Sequence, residues 1–338
     1  MFMQEEYQMK TLKGIHHVTA ISSGAKQNYE FFTHVLGMRL VKKTVNQDDV
    51  NTYHLFFADD RGNPGTDMTF FDFSGVGAHQ KGTDDISRTG LRVPTDEALD
   101  YWLKRFEHFG VSHQPISELF GRKVLEFEDH DQQQYALFSD EKNQGVPAGE
   151  PWHKGPVPDE YAIVGLGPIY LTVQNLELID QILVNLMKMR EAATEGNHTL
   201  YEMGEGGNGG SVIVIEDSTL DIARQGFGGV HHVAFRVEDK AELDEWTEWF
   251  DSLNLRNSGF VDRFYFKSLY IRLYPNILFE IATDGPGFID DIEDYEILGE
   301  TLAMPPHLRP YQKQIEQQVN HFDSVRSTKE FPKEYFNE

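Results

Sequence analysis

The sequence predicts an α+β protein of four β-α-β-β-β modules in two tandem halves, with curved mixed sheets forming a cup. Three observations carry this prediction. GIHHVTA at 14–20 recurs as GVHHVAF at 229–235, with its histidine pair intact. Weaker strand–turn–helix copies begin near 86 and 163, so the four starts lie 72, 77 and 66 residues apart. Such self-similarity is the signature of a repeated supersecondary unit. Short apolar strands then follow each helix, as in RLVKKTV, YHLFFAD and DMTFFDF of unit one.

Each unit justifies its helix by period. In unit two, Leu99, Trp102, Leu103, Phe106 and Phe109 form one apolar face, with Thr95 as N-cap and Gly110 as stop. In unit four, Leu243, Trp246, Phe250 and Leu253 do the same, and Asp239 and Glu242 have capping-box spacing. Tyr29, Phe32 and Leu36 mark the helix of unit one, which Gly37 ends. Ile179, Leu183 and Leu186 mark that of unit three. The halves span 10–140 and 160–290, each with two modules. The Pro/Gly-rich stretch 140–160 is the linker between them, and 291–338 is expected to form a polar C-terminal tail, helical after the Pro-Pro break at 305–306. In Pro275-Asn276 the strands of unit four have a turn.

Composition bounds the chemistry. The chain has 338 residues, a formal net charge of −25 and no Cys. Without Cys there is no thiolate nucleophile, zinc–sulfur site or iron–sulfur cluster, so a metal must sit on His, Asp or Glu. The negative charge opposes nucleic acid as a partner. No stretch reaches the roughly 20 apolar residues of a membrane span, and MFMQEEYQMK is no signal peptide. The expectation is a cytoplasmic protein without a membrane partner.

Strand alternation sends His232 to one face with Val230, Ala234 and Arg236. His231 goes to the more apolar face with Val233, Phe235 and Val237. By the same parity His17 parts from His16. The second histidine of each pair is therefore the better candidate for an interior site. Glu280 stands inside the apolar strand NILFEIATD, where a carboxylate needs a partner if it is buried. A half-exposed strand facing water would also account for Glu280, and hydrogen-bonded strand histidines would account for each pair. Together, His17, His232 and Glu280 would make a two-histidine, one-carboxylate triad with open positions, which suits non-haem Fe(II).

The motifs LKGIHHVTA, YHLFFADDRGNPGTDMTFF, GGVHHVAF, DRFYFKSLYIR and LFEIAT resemble the vicinal oxygen chelate superfamily over roughly 12–320. That superfamily includes glyoxalase I, extradiol dioxygenases and antibiotic-binding resistance proteins. The finer resemblance is to its hydroquinone-type ring-cleaving dioxygenases. It implies a metal-containing cup and iron on His17, His232 and Glu280. Fe(II) is the expected cofactor, with Mn(II) as the alternative and Zn(II) as an artefact. It further implies Arg263, Tyr270 and His231 as catalytic groups, with His16 and Thr19 as supporting or substrate-binding groups. The implied partners are a small dihydroxylated aromatic and O₂, and a homo-oligomer stays open. Catechol-cleaving relatives take their first ligand from unit three. Here that strand reads GLGPIYLTV, so the site should join units one and four.

Two other readings share the fold: a glyoxalase-like isomerase or lyase, and a non-catalytic binding or resistance protein. GEGGNG matches a dinucleotide-binding pattern literally, but SVIVIED follows it as a strand, so a flexible hairpin loop is expected. His54 has no role assignable from sequence.

Overall fold

The computed structural model describes residues 11–336. Unit one comprises β1 (Ile15–Ile21), α1 (Ala25–Glu30), β2 (Arg39–Asn46), β3 (Asp49–Ala58) and β4 (Asp67–Phe71). Unit two comprises β5 (Asp85–Val93), α2 (Asp96–Phe109), β6 (Ser117–Leu119), β7 (Arg122–Glu128) and β8 (Gln134–Ser139). Unit three comprises β9 (Leu166–Val173), α3 (Leu176–Gln181), β10 (Arg190–Glu195), β11 (His198–Glu202) and β12 (Ser211–Glu216). Unit four comprises β13 (Gly229–Val237), α4 (Lys240–Ser252), β14 (Asn257–Asp262), β15 (Phe266–Leu273) and β16 (Ile277–Pro286). The β-α-β-β-β order recurs four times.

The units pair non-sequentially into two curled eight-stranded sheets. The first runs β14-β15-β16-β13-β1-β4-β3-β2 and joins units four and one. The second runs β10-β11-β12-β9-β5-β8-β7-β6 and joins units three and two. At each centre the opening strands of two units pair antiparallel, β1 with β13 and β5 with β9. Within each unit the last strand lies parallel to the first. The helix makes the crossover that such parallel pairing needs.

Period-2 alternation divides each sheet into two environments. Val18, Val233, Phe235, Leu91 and Ile169 turn to the main core, where they meet Phe32, Trp102 and Trp246 from the helical layer. Burial of each such side chain contributes about 1.5–3 kcal/mol. The opposite face of the second sheet is filled by Val124, Phe138, Tyr170, Leu200 and Ile213. Arg88 and Glu126 also pair at 2.7 Å there, with the guanidinium over the Tyr170 ring. The opposite face of the first sheet carries the histidine pairs and is filled in part by Val41, Phe56, Phe266 and Phe288, which leaves a cavity.

Local signals are met where side chains reach their partners. Thr95 accepts from Ala98 N at 3.2 Å and α2 ends at Gly110 with φ 65°. Asp239 accepts from Glu242 N at 3.1 Å, and the Glu242 carboxylate accepts from Glu238 N at 2.8 Å. The helices of units one and three are regular for six residues and then widen into π-turns, Phe31–Val35 and Ile182–Leu186. The wider turn sets Phe32, Thr33 and Leu36 all into the core.

Two expectations are corrected. The glycine-rich segment between β11 and β12 is a packed turn, not a flexible loop. Gly204, Gly206 and Gly207 take positive φ, and buried Asn208 donates to Ser139 O and the Asp140 carboxylate. The tail is a strap more than a helix, with only Gln312–Glu316 forming α5. It is fixed through Lys43–Ser324 (2.7 Å), Arg326–Tyr29 (2.6 Å) and Arg105–Glu334 (2.8 Å). Among the described residues no helix is long and apolar enough to cross a membrane.

Candidate metal centre

Three neighbouring strands at the centre of the first sheet bring His17, His232 and Glu280 together. On β1 and β13, His17 faces Ala234 and Thr19 faces His232. On β13 and β16, Ala234 faces Glu280. Glu280 Oε2 lies 3.1 Å from His17 Nε2 and 2.9 Å from His232 Nε2, and the two Nε2 atoms are 3.3 Å apart. All three residues are buried. Ser268 donates to the other carboxylate oxygen at 2.5 Å. Burial pushes the Glu280 carboxyl up, the two imidazoles pull it down, and the second effect wins, so it stays an anion.

Strict alternation fails at the histidine pairs, and the failure has a local cause. The β1–β13 register skips His16 on one strand and His231 on the other. These are two β-bulges, related by the internal repeat. A bulge sets consecutive side chains on the same side of a strand. His16 and His17 accordingly both pack on Phe266, at 5.2 and 5.0 Å between ring centroids. Their Nδ1 atoms are 2.8 Å apart, as are those of His231 and His232. The opposite faces expected for each pair are thus corrected.

The bulge also sets a tautomer. His16 Nε2 lies 3.0 Å from the carbonyl of Thr283, which can only accept, so His16 carries its proton there. Burial, with the charge of His17, pushes the His16 pKa down to about 3, so the ring is neutral. Its Nδ1 must then accept from His17 Nδ1–H, which leaves His17 Nε2 a bare lone pair aimed at Glu280. Partners of this kind orient metal-binding histidines. Burial, followed by His232, pushes His231 down to about 3 as well.

The donor set fits a cation. Two imidazole nitrogens and a carboxylate oxygen converge within 4.8 Å. Glu280 Oε2 is buried without a conventional hydrogen bond. Buried acceptors facing one another need a cation between them.

Around the cluster lies a cavity of about 310 Å³, lined in part by Phe56, Phe71, Phe73, Phe266 and Leu278. His231, Arg263 and Tyr270 line it too, beside His17 and His232. The Tyr270 ring stands edge-on to His232, with centroids 5.9 Å apart. Arg263 Nε donates to the Tyr270 hydroxyl at 3.0 Å, and its Nη2 pairs with Asp48 at 3.0 Å. Burial, then the Glu280 charge, raises Tyr270 above its ordinary value, so it is a neutral phenol. For Arg263, Tyr270 and Asp48 outweigh burial and fix the positive charge.

The remaining expected residues stand behind this wall. His16 supports His17. Thr19 does not line the cavity; its hydroxyl meets that of Thr69 at 2.7 Å, and Thr69 meets His54 Nε2 at 3.0 Å. Sequence reasoning missed Ser268, Thr69 and Asp48. The missed signal for Thr69 was the repeat itself, which aligns DMTFF with LFEIA. Asp48 lies in the β2–β3 turn and reaches unit four only because the sheet curls, aided by Gln47 donating to Arg263 O at 2.8 Å.

Paired β-α-β-β-β units around a buried two-histidine, one-carboxylate cluster define a glyoxalase-fold protein with a candidate metal centre. The family model described as the Glyoxalase/Bleomycin resistance protein/Dioxygenase superfamily matches residues 14–137. MhqA of Bacillus subtilis (strain 168), provisionally named a ring-cleaving dioxygenase, is 44% identical over 310 residues, covering 90% of this chain and 97% of its own. The chlorohydroquinone/hydroquinone 1,2-dioxygenase of Sphingobium indicum is 31% identical over 317 residues, covering 91% and 96%. The crystal structure of a provisionally assigned dioxygenase from Bacillus subtilis superposes with a TM-score of 0.85 at 34% identity, covering 94% and 99%. Glyoxalase I from Zea mays shares the fold, with a TM-score of 0.58 at 12% identity, covering 80% and 92%. This chain belongs to the glyoxalase, or vicinal oxygen chelate, superfamily.

Proposed function

We propose that the protein is an Fe(II)-dependent dioxygenase that opens the ring of a hydroquinone-type aromatic with O₂. The observation that carries this reading is the buried His17–His232–Glu280 cluster at the floor of an aromatic-walled cavity. The cavity is the size of a small-molecule site. The names of the relatives supply the reaction class, and that of the Sphingobium indicum enzyme supplies the substrate class.

His17, His232 and Glu280 are assigned as the metal ligands. Bound there, iron would supply a Lewis acid with open positions for two guests. Arg263 sets a fixed positive charge beside the cluster, where it orients an anionic phenolate. Tyr270 accepts from Arg263 and keeps its own hydroxyl proton to donate into the cavity. His231 Nε2 has no protein partner among the described residues; with its Nδ1 accepting from His232 Nδ1–H, the neutral ring carries its proton on Nε2 and can donate it to a guest oxygen. The Phe walls hold the ring flat and keep water away.

A glyoxalase-like isomerase would need a further protein ligand. The position that the repeat relates to Glu280 holds Thr69, whose hydroxyl is already engaged. The deciding experiment is anaerobic Fe(II) loading followed by oxygen-electrode assays across hydroquinones and catechols. One O₂ consumed per hydroquinone opened is expected. Anaerobic turnover of a thiol hemithioacetal would replace this reading.

A further inference from the structure

We propose that His54 reads the ring hydroxyl that does not sit at the metal cluster, through its Nδ1. The proposal rests on the hydroquinone-type reading above and specifies how that class is recognised.

His54 lies on β3, in the same cavity wall as His17 and His232. Its ring packs on both Phe56 and Phe71, with centroids 4.0 and 4.4 Å away. Nε2 is tied to Thr69, which is tied in turn to Thr19. Three contacts on an imidazole fix its orientation, and pre-fixed groups lose little entropy on binding. The other nitrogen, Nδ1, has no protein partner and is not among the buried atoms, so it is open to the cavity.

Much of the remaining polar wall is committed or, like the Thr44 and Tyr265 hydroxyls, buried. Arg263 serves Tyr270 and Asp48, and Gln47 serves the Arg263 backbone. Outside the cluster, His231 Nε2 and His54 Nδ1 are the ring nitrogens left for a guest among the described residues lining the cavity. Both rings pack on Phe71, with centroids 4.4 and 5.7 Å from it. Burial first, then the charges of His17, His232 and Arg263, keep His54 neutral. A neutral imidazole meets a hydroxyl in either tautomer, because the hydroxyl can donate or accept. It has nothing to offer a methyl group.

The test compares hydroquinone with 4-methylphenol, in which a methyl replaces one hydroxyl. Each is titrated calorimetrically into the Fe(II)-loaded protein without oxygen. The wild type is expected to prefer hydroquinone by about tenfold, the scale of one good neutral hydrogen bond. His54→Phe should abolish that preference while leaving 4-methylphenol affinity within about twofold. His54→Gln should retain part of it. Iron content and thermal midpoint establish that each variant is folded; if His54→Phe is not, a fall of at least about threefold in His54→Gln carries the test. An undiminished preference in a folded variant, or none in the wild type, overturns the assignment. A wild type that binds neither phenol overturns this and the hydroquinone reading together. Loss of the preference in His54→Phe, with no O₂ uptake by wild type on any hydroquinone, overturns the dioxygenase reading and leaves His54 as assigned.

Discussion

Thr69 and Glu280 occupy the same place in two copies of one unit. Each lies on the last strand of its unit, parallel to the first strand, opposite the residue two positions beyond a cluster histidine. Thr19 faces Thr69, and Ala234 faces Glu280. The next strand repeats the relationship. Ser268 donates to Glu280, and its counterpart His54 bonds Thr69. Duplication thus offers two carboxylate positions, and this chain fills one.

Thr69→Glu should therefore convert three ligands to four. Divalent metal affinity is expected to rise, and O₂-dependent turnover to fall at least about 100-fold, because a position needed by the guests is taken. Metal titration and oxygen uptake on the same preparation check this. Glu280→Gln is the reciprocal case, with loss of both metal and activity. Full iron occupancy in Glu280→Gln would remove the carboxylate from the ligand set.

Tyr270→Phe removes one hydroxyl and leaves the ring against His232. Iron content should hold while kcat falls by roughly 100-fold, the usual scale for a positioned acid. Asp48→Ala acts on the same group at one remove. Its ion pair with Arg263 lies at the surface, where such pairs add about 0–1 kcal/mol. The melting temperature should barely move, but a loosened Arg263 should raise KM severalfold. Unchanged KM in Asp48→Ala would show that Tyr270 alone holds Arg263.

How far the cluster was legible in sequence follows from what each residue's signal was. His17, His232 and Glu280 were reachable because a repeated HisHis and a carboxylate in an apolar strand are visible one residue at a time. The joining of units one and four was implied once the third unit lacked a histidine. The bulges at His16 and His231 were not legible, since alternation is the only face rule a strand sequence offers and a bulge breaks it. Thr69 was invisible for another reason. It looks like any strand threonine until the β1–β4 and β13–β16 registers are laid side by side. Asp48 depends on sheet curl, which no local pattern encodes.

Far from the cluster, Asp129 gives a prediction about pH and stability. It is almost fully buried, and its carboxylate accepts from Asp131 N, Gln133 N and the Tyr135 hydroxyl. Burial, opposed by these bonds, still pushes its pKa from 3.8 up to about 7. A carboxyl raised in the fold is favoured there as the neutral acid. Its stabilising share is complete below the unfolded value near 4 and is lost as pH rises through about 7. The loss is of the order of a few kcal/mol. Asp129→Asn keeps a carbonyl for the two backbone amides and cannot ionise. The variant should gain on wild type between pH 5 and 8, read as a diverging denaturation midpoint. Parallel midpoints across that range would mean that Asp129 ionises freely in the fold.

His16→Phe tests the relay directly. Phenylalanine keeps a ring against Phe266 but takes away the acceptor for His17 Nδ1–H. A buried N–H without a partner is costly, and His17 can then shift its proton to Nε2, where it blocks the metal. Metal affinity should fall by about 10–100-fold, the range found when such supporting bonds are cut. Saturating metal should restore most of the activity, because the ligand atoms themselves are still present. His16→Gln, whose carbonyl can accept from Nδ1–H, should recover much of the affinity. If His16→Phe binds metal as tightly as wild type, the hydrogen bond from His17 to His16 does not set the tautomer, and packing on Phe266 alone orients His17.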